Sequence, residues 1–311
     1  MITVAAFYRF AEVSDPERRK QPLAALACAE GVRGTVLIAS EGVNGTIAGP
    51  RSGVDAVIAH LRAWEGFSAL EWKESHCAEQ PFRRLKVRVK REIVTLGAGV
   101  VDHGQTGTRV APEDWGAVLD DPEIAVIDCR NRYEIAIGQF DGALDPETDG
   151  FTEFPERWAA MAPALEGKRI AMYCTGGIRC EKASAWLRAQ GVPEVLQLDG
   201  GILRYLERVP EAASRWQGEC FVFDERVAVD HALNPGSHTL CHACGRAVSP
   251  EDRRHPAWRQ GVSCPACIDE YTDADRARFA ERQRQQQLAR ARGVAHLAGA
   301  DHGTRDPEDA A

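Results

Sequence analysis

The chain has 311 residues, 44% apolar and 27% charged, the balance of an ordinary water-soluble globular protein with room for two or three cores. Its ten cysteines, no export pattern in the first 30 residues, and no apolar run near the roughly 20 residues of a bilayer span point to reduced thiols in the cytoplasm, not to a disulfide framework or a membrane protein. A net charge of −8 excludes a uniformly basic nucleic-acid coat but leaves room for a local basic face.

In chain order, residues 1–96 read as β-α-β-β-α-β, the order of a ferredoxin-like split βαβ domain. A first strand covers Thr3 to Tyr8, and an amphipathic helix covers Pro16 to Glu30 and stops at Gly31. Strands at 34–39 and 45–48 are joined through Glu41-Gly42-Val43-Asn44-Gly45, where Asn-Gly supplies a positive-φ turn. A helix follows over Ser52 to Trp64, with Ser52 as N-cap, and Arg84 to Leu96 is the closing strand. In that strand Arg84, Lys86, Arg88 and Lys90 alternate with Leu85, Val87 and Val89, so one face is cationic and the other apolar. Such a face either protects a sheet edge or attracts a polyanion, and Arg83 and Arg91 extend it beyond what edge protection needs.

After a Gly-rich connector, residues 112–210 alternate short apolar runs with helical patterns, predicting a small α/β domain around a parallel sheet. Ile170-Ala171-Met172-Tyr173 delivers Cys174 into Thr175-Gly176-Gly177, and Arg179 follows five positions after the cysteine as a helix begins. A thiol there meets free backbone N–H groups and the positive end of a helix dipole, both of which favour the thiolate. Arg179 adds a permanent positive charge. Cys180, in the first turn of that helix, reads either as a resolving thiol or as a small packed hydrophobe.

Residues 211–271 are irregular and Cys-rich. Cys241-x2-Cys244 is followed after nineteen residues by Cys264-x2-Cys267, the spacing of a four-thiolate structural zinc site. His242 and His255 are weaker candidate ligands. Upstream, Phe221-Val222-Phe223-Asp224-Glu225-Arg226 reads equally as a strand capping the site, with aromatics able to stack on a base, or as plain packing. Residues 272–311 form an arginine-rich helix and a tail, from Gly299 onward, of disordered composition.

Several of these motifs carry a resemblance. Cys174-Thr175-Gly176-Gly177-Ile178-Arg179 resembles the active loop of a rhodanese domain. Asp128-Cys129-Arg130-Asn131 with Glu134 resembles the signature near such a domain's start, and Gly200-Gly201-Ile202 the turn near its end. Gln139 stands where rhodaneses often carry His. The C-x4-R loop is similar to that of persulfide-carrying sulfurtransferases, whereas related phosphatases use C-x5-R. Together with Cys180-Glu181-Lys182, Ser40 to Thr46 and Phe221 to Arg226, the loop resembles the bacterial rhodanese-domain proteins that act as oxygen-dependent tRNA uridine hydroxylases. The resemblance implies 5-hydroxylation of the wobble uridine of tRNA, molecular oxygen as oxidant, and Cys174 as the catalytic cysteine. No flavin, haem or nicotinamide fingerprint is visible in the sequence. The competing readings are a sulfurtransferase that moves persulfide sulfur to a small acceptor, and a non-catalytic RNA-binding scaffold.

Overall fold

The first sheet grows around the strand β1 (Ile2–Phe10), which buries Val4, Ala5 and Phe7 and pairs on both sides. The computed structural model describes residues 1–98 and 103–292. Helix α1 (Pro16–Ala29) starts with Pro16 in its first turn, where a missing N–H costs nothing, and the Asp15 carboxylate accepts the Arg18 N–H at 3.2 Å. The strands β2 (Arg33–Ala39) and β3 (Gly42–Gly49) form a hairpin, and α2 (Arg51–Arg62) buries Val54, Val57, Ile58 and Leu61. The strands β4 (Trp72–Cys77) and β5 (Leu85–Val89) complete the sheet in the order β4-β1-β3-β2-β5.

The ferredoxin-like βαββαβ is present, with four differences from the sequence reading. The fourth strand of the motif is β4, which pairs antiparallel with β1; Trp-Lys-Glu-Ser-His-Cys has no apolar alternation to announce it. The basic segment is a short fifth strand at the opposite edge, parallel to β2, and ends at Val89 rather than Leu96. The β2–β3 turn is Ser40-Glu41, while Asn44 and Gly45 lie within β3, facing Leu37 and Val36. A Cβ at Gly45 would meet the Thr35 carbonyl at 2.8 Å, so this glycine serves close strand approach rather than a turn. The N-cap of α2 is Pro50, and Ser52 falls in the first turn.

The second domain has a parallel sheet, as its apolar runs predict. After β6 (Thr108–Val110) come α3 (Trp115–Asp120), β7 (Ile124–Asp128), α4 (Arg132–Ile135), β8 (Gly138–Phe140) and α5 (Phe154–Met161). Then follow β9 (Arg169–Tyr173), α6 (Ile178–Ala189), β10 (Val195–Leu198) and α7 (Gly201–Arg208). The sheet order is β6-β10-β9-β7, with every pair parallel. Alternation along β9 divides its side chains between two cores: Ala171 and Tyr173 lie with Trp115 and Tyr205, and Ile170, Met172 and Cys174 with Phe154 and Leu187. Helices therefore cover both faces, and Cys174 stands at the carboxyl end of a central strand, where ligands bind in such sheets.

Residues 211–239 remain within the first compact unit. The strand β11 (Trp216–Gly218) pairs with β8, and β12 (Cys220–Phe221) with β13 (Ala228–Val229) makes a small hairpin. A second compact unit begins at Leu240 and contains the four clustered cysteines and α8 (Asp273–Ala291). Among the described residues, no helix is long and apolar enough to cross a membrane. The tail from Gly299, expected to be disordered, lies outside the described residues.

Candidate active site

The turn after β9 folds back on its own cysteine. Gly177 adopts φ +99°, and its N–H donates to the Cys174 Sγ at 3.2 Å. A side chain there would suffer twice: the backbone disfavours it, and a Cβ would meet the Tyr8 hydroxyl at 2.8 Å. Gly201, at φ +67°, presses from the start of α7, where a Cβ would sit 2.4 Å from the Cys174 carbonyl. The Cys174 and Thr175 carbonyls in turn accept the N–H groups of Ile202 and Leu203 at 3.0 and 3.1 Å.

Cys174 is fully buried. Burial alone would raise its pKa, but the Cys180 thiol hydrogen bond, the Arg179 charge and the N–H groups of Cys180 and Gly177 outweigh it and hold the thiol at about 5. Cys180 itself is pushed well above the usual thiol range, by burial first and then by its bonds to Cys129 and Cys174. The pair is therefore asymmetric at neutral pH, with a thiolate at Cys174 and a protonated donor at Cys180. Arg179 is fixed by a two-pronged ion pair, Nη1 and Nη2 donating to the Glu134 carboxylate at 2.6 and 2.7 Å. Burial would raise the Glu134 carboxyl, but Arg179 holds it below the usual range. Thr175 Oγ1 donates to the same carboxylate at 3.2 Å. Asp128 and Arg130 form a fully buried pair at 2.7 Å, whose guanidinium also reaches the carbonyls of Glu134 and Gly138, so this signature braces α4, which carries Glu134.

The first domain reaches the same loop. Lys73 of β4 donates from Nζ to the Gly176 carbonyl at 2.8 Å and lies over the Tyr8 ring at 4.7 Å. Burial first, and then the Arg204 charge, lower the Lys73 ammonium to about 8 against the opposing charge of Cys174. The Tyr8 hydroxyl donates to Glu181 at 3.0 Å. Next in sequence, the Lys182 ammonium is buried against the Glu41 and Glu92 carboxylates and the Val94 carbonyl, with 2.8 Å to Glu41 and 2.8 Å to Val94. Sequence reasoning did not find Tyr8, Lys73, Lys182 or Glu92. Glu181 and Lys182 adjoin the loop in sequence; Tyr8 and Lys73 are single polar residues on strands, with no local signal.

Comparison with known proteins places this geometry. Residues 2–93 match the model of the UPF0176 acylphosphatase like domain, and residues 111–208 that of the rhodanese-like domain. The chain is 54% identical over 301 residues to the tRNA uridine(34) hydroxylase of Jannaschia sp. (strain CCS1), covering 97% of this chain and 100% of that one. It is 54% identical to the protein of the same name from Ruegeria pomeroyi, over 96% of this chain and 99% of that one. The chain belongs to the tRNA uridine(34) hydroxylase family. The Gluconobacter oxydans member is 52% identical over 95% of this chain and 96% of its own.

Two other sets of residues stand out in the sequence, one on β5 and one in the second compact unit. Leu85, Val87 and Val89 of β5 pack against the first core, whereas Arg84 is exposed and Lys86, Arg88 and Lys90 are half-buried. β5 is four strand spacings from β4, about 19 Å across the sheet. Arg83, which extends the basic run, forms an ion pair with Glu225. In the second compact unit, Cys241, Cys244, Cys264 and Cys267 bring their sulfurs within 4.8 Å of one another, with 3.7 Å between Cys244 and Cys264 and 4.0 Å between Cys241 and Cys267. Four thiolates at about 2.3 Å from a tetrahedral ion stand about 3.8 Å apart, so this set can hold a metal. His255 is exposed and His242 half-buried, and neither belongs to the cluster.

Proposed function

We propose that the chain hydroxylates uridine 34 of tRNA at C5 and that Cys174 is the nucleophile. The observation that carries this reading is the Cys174 loop, where Sγ accepts the Gly177 N–H and the thiol is held at about 5, with Lys73 of the first domain on the Gly176 carbonyl and Tyr8 on Glu181. The relatives' name supports the substrate. In this reading Sγ of Cys174, or the outer sulfur of a persulfide on it, adds to C6 of the uracil, and the enolate carbon C5 takes up dioxygen as a hydroperoxide. A dithiol reductant then cleaves the O–O bond to leave a C5 hydroxyl and water, and loss of the C5 proton expels the sulfur and restores the C5–C6 double bond. Thr175, Gly176, Gly177 and Arg179 hold the anion, and Cys180 keeps its proton and donates to it. A sulfurtransferase acting on a small acceptor would have no use for the Lys73 and Tyr8 contacts. Dioxygen as oxidant and a cytoplasmic site of action belong to the same proposal.

Arg84, Lys86, Arg88 and Lys90 are proposed to meet the tRNA backbone. Cys241, Cys244, Cys264 and Cys267 are proposed to hold a structural zinc, since four thiolates leave no open position for chemistry. Nucleoside mass analysis of tRNA from cells with the protein, without it, and with Cys174→Ser tests the main reading. Loss of 5-hydroxyuridine in the last two is expected; its persistence with Cys174→Ser refutes the assignment of the nucleophile.

A further inference from the structure

The exposed large hydrophobic side chains among the described residues are Met1, Tyr133 and Phe223. Met1 is the first residue of the chain. The other two, 38% and 58% exposed, belong to one stack. Tyr133 meets Phe221 edge-on at 5.2 Å, Phe221 meets Phe223 edge-on at 5.2 Å, and the Arg179 guanidinium lies over the Phe223 ring at 5.9 Å. Arg179 spends its Nη atoms on Glu134, so what it offers Phe223 is the plane of its guanidinium. An aromatic surface thus adjoins the arginine that closes the cysteine loop.

Phe223 is held where it is by unusual effort for an exposed side chain. Arg226 folds onto Asp224, donating from Nη2 to the carboxylate at 2.6 Å, and reaches Ser75 of β4 from Nη1 at 2.8 Å. The Glu225 N–H donates to the Pro81 carbonyl at 3.0 Å, and Arg83 pairs with the Glu225 carboxylate. Val222 and Val227 close the hairpin, the N–H of the first donating to the carbonyl of the second at 2.9 Å. The turn that carries the ring is therefore tied to the first domain by three contacts, and ordering it against solvent is an entropic cost that packing of Phe223 does not offset.

We propose that Phe223, with Tyr133 beside it, is a stacking platform for the unpaired uracil that Cys174 attacks. An apolar ring beside a fixed cation suits a pyrimidine face better than it suits a phosphate, and stacking accepts a base taken out of its strand. The proposal rests on the RNA substrate named above and adds the residue that receives the base.

The test compares two labelled anticodon stem-loop RNAs, one with uridine at position 34 and one abasic there, binding to the full chain without oxygen so that no turnover intervenes. The wild type should prefer the uridine RNA by roughly tenfold or more, the scale of one aromatic–base stack. Phe223→Ala should abolish that preference while leaving the abasic affinity unchanged, and Phe223→Trp should keep it. An unchanged preference with Phe223→Ala, an equal loss for both RNAs, or no preference in the wild type overturns the platform. If Phe223→Ala alters the alkylation of Cys174, then Phe223→Leu, which keeps bulk without a π face, carries the same comparison. A uridine preference without 5-hydroxyuridine formation in air would remove the hydroxylase reading and leave the platform standing.

Discussion

At Cys174 two opposing effects of comparable kind decide the chemistry. Full burial disfavours the thiolate, while the Cys180 thiol, the Arg179 charge and two backbone N–H groups favour it, and the balance falls at about 5. The folded pKa lies below that of a free thiol, so the reactive form is present throughout neutral pH and disappears only as pH falls through 5. Alkylation of Cys174 by iodoacetamide should therefore be nearly flat from pH 7 to 8 once corrected for other cysteines, and should drop about tenfold per unit below 5. Cys180→Ala removes a donor and should move that midpoint upward, with Cys180→Ser moving it less. A midpoint unaffected by Cys180→Ala would show that the thiol only fills space. A second prediction concerns Lys182, whose ammonium is 1% exposed and faces two carboxylates, each about a fifth exposed. Lys182→Met leaves Glu41 and Glu92 facing each other without their cation, and urea unfolding should report a loss of about 3 kcal/mol, the lower end for breaking a buried pair.

Elements differ in how plainly they are written in the chain. β9, the Cys174 loop and α6 were legible because a run buried on both faces, a Gly-Gly pair and a helix start follow one another without interruption. β4 was not, since Trp72 to Cys77 alternates no apolar residues and is held by pairing with β1 and by what Lys73 and Glu74 touch. The Asn44-Gly45 pair carried a local turn signal that tertiary packing overrode: the Asn44 side chain donates to the Ile93 carbonyl at 2.9 Å, and Gly45 fits between neighbouring strands. Lys73 and Tyr8 could not be read as site residues from the chain, because the loop they touch lies about one hundred or more residues away. β5 shows the reverse case, a face fully legible as a pattern whose purpose needs a solution measurement. Replacing Lys86 and Arg88 by Gln should weaken tRNA binding and make its dependence on log salt shallower by roughly 1 to 2, at about 0.7–0.9 per phosphate contact. Affinity and slope both at wild-type values would return this face to edge protection.

Across the whole molecule, the two compact units are stabilised by different means. The first has two domains with apolar cores large enough to stand without metal, seen in the clusters around Phe7 and Leu61, Trp115 and Tyr205, and Met172 and Leu187. In the second, the buried cluster is Cys241, Val248, Cys264 and Cys267, with Ala243, Cys244, Trp258 and Tyr271 partly buried against it. Two buried aliphatic side chains, Val248 and Val262, among the described residues of this unit cannot offset the ordering of about fifty residues, and four thiolates without a cation between them would repel one another. A metal at these sulfurs would supply both the missing energy and the charge balance. Release of metal by a mercurial thiol reagent, read with a zinc-sensitive dye, should therefore give one equivalent per chain. Limited proteolysis after chelation should then cut between 240 and 292 while a fragment ending near 239 survives. In that fragment the alkylation midpoint of Cys174 should stay near 5, because every group that sets it belongs to the first unit. A chelated chain that resists cleavage beyond 240 would mean that the cysteines pack as thiols and hold no metal.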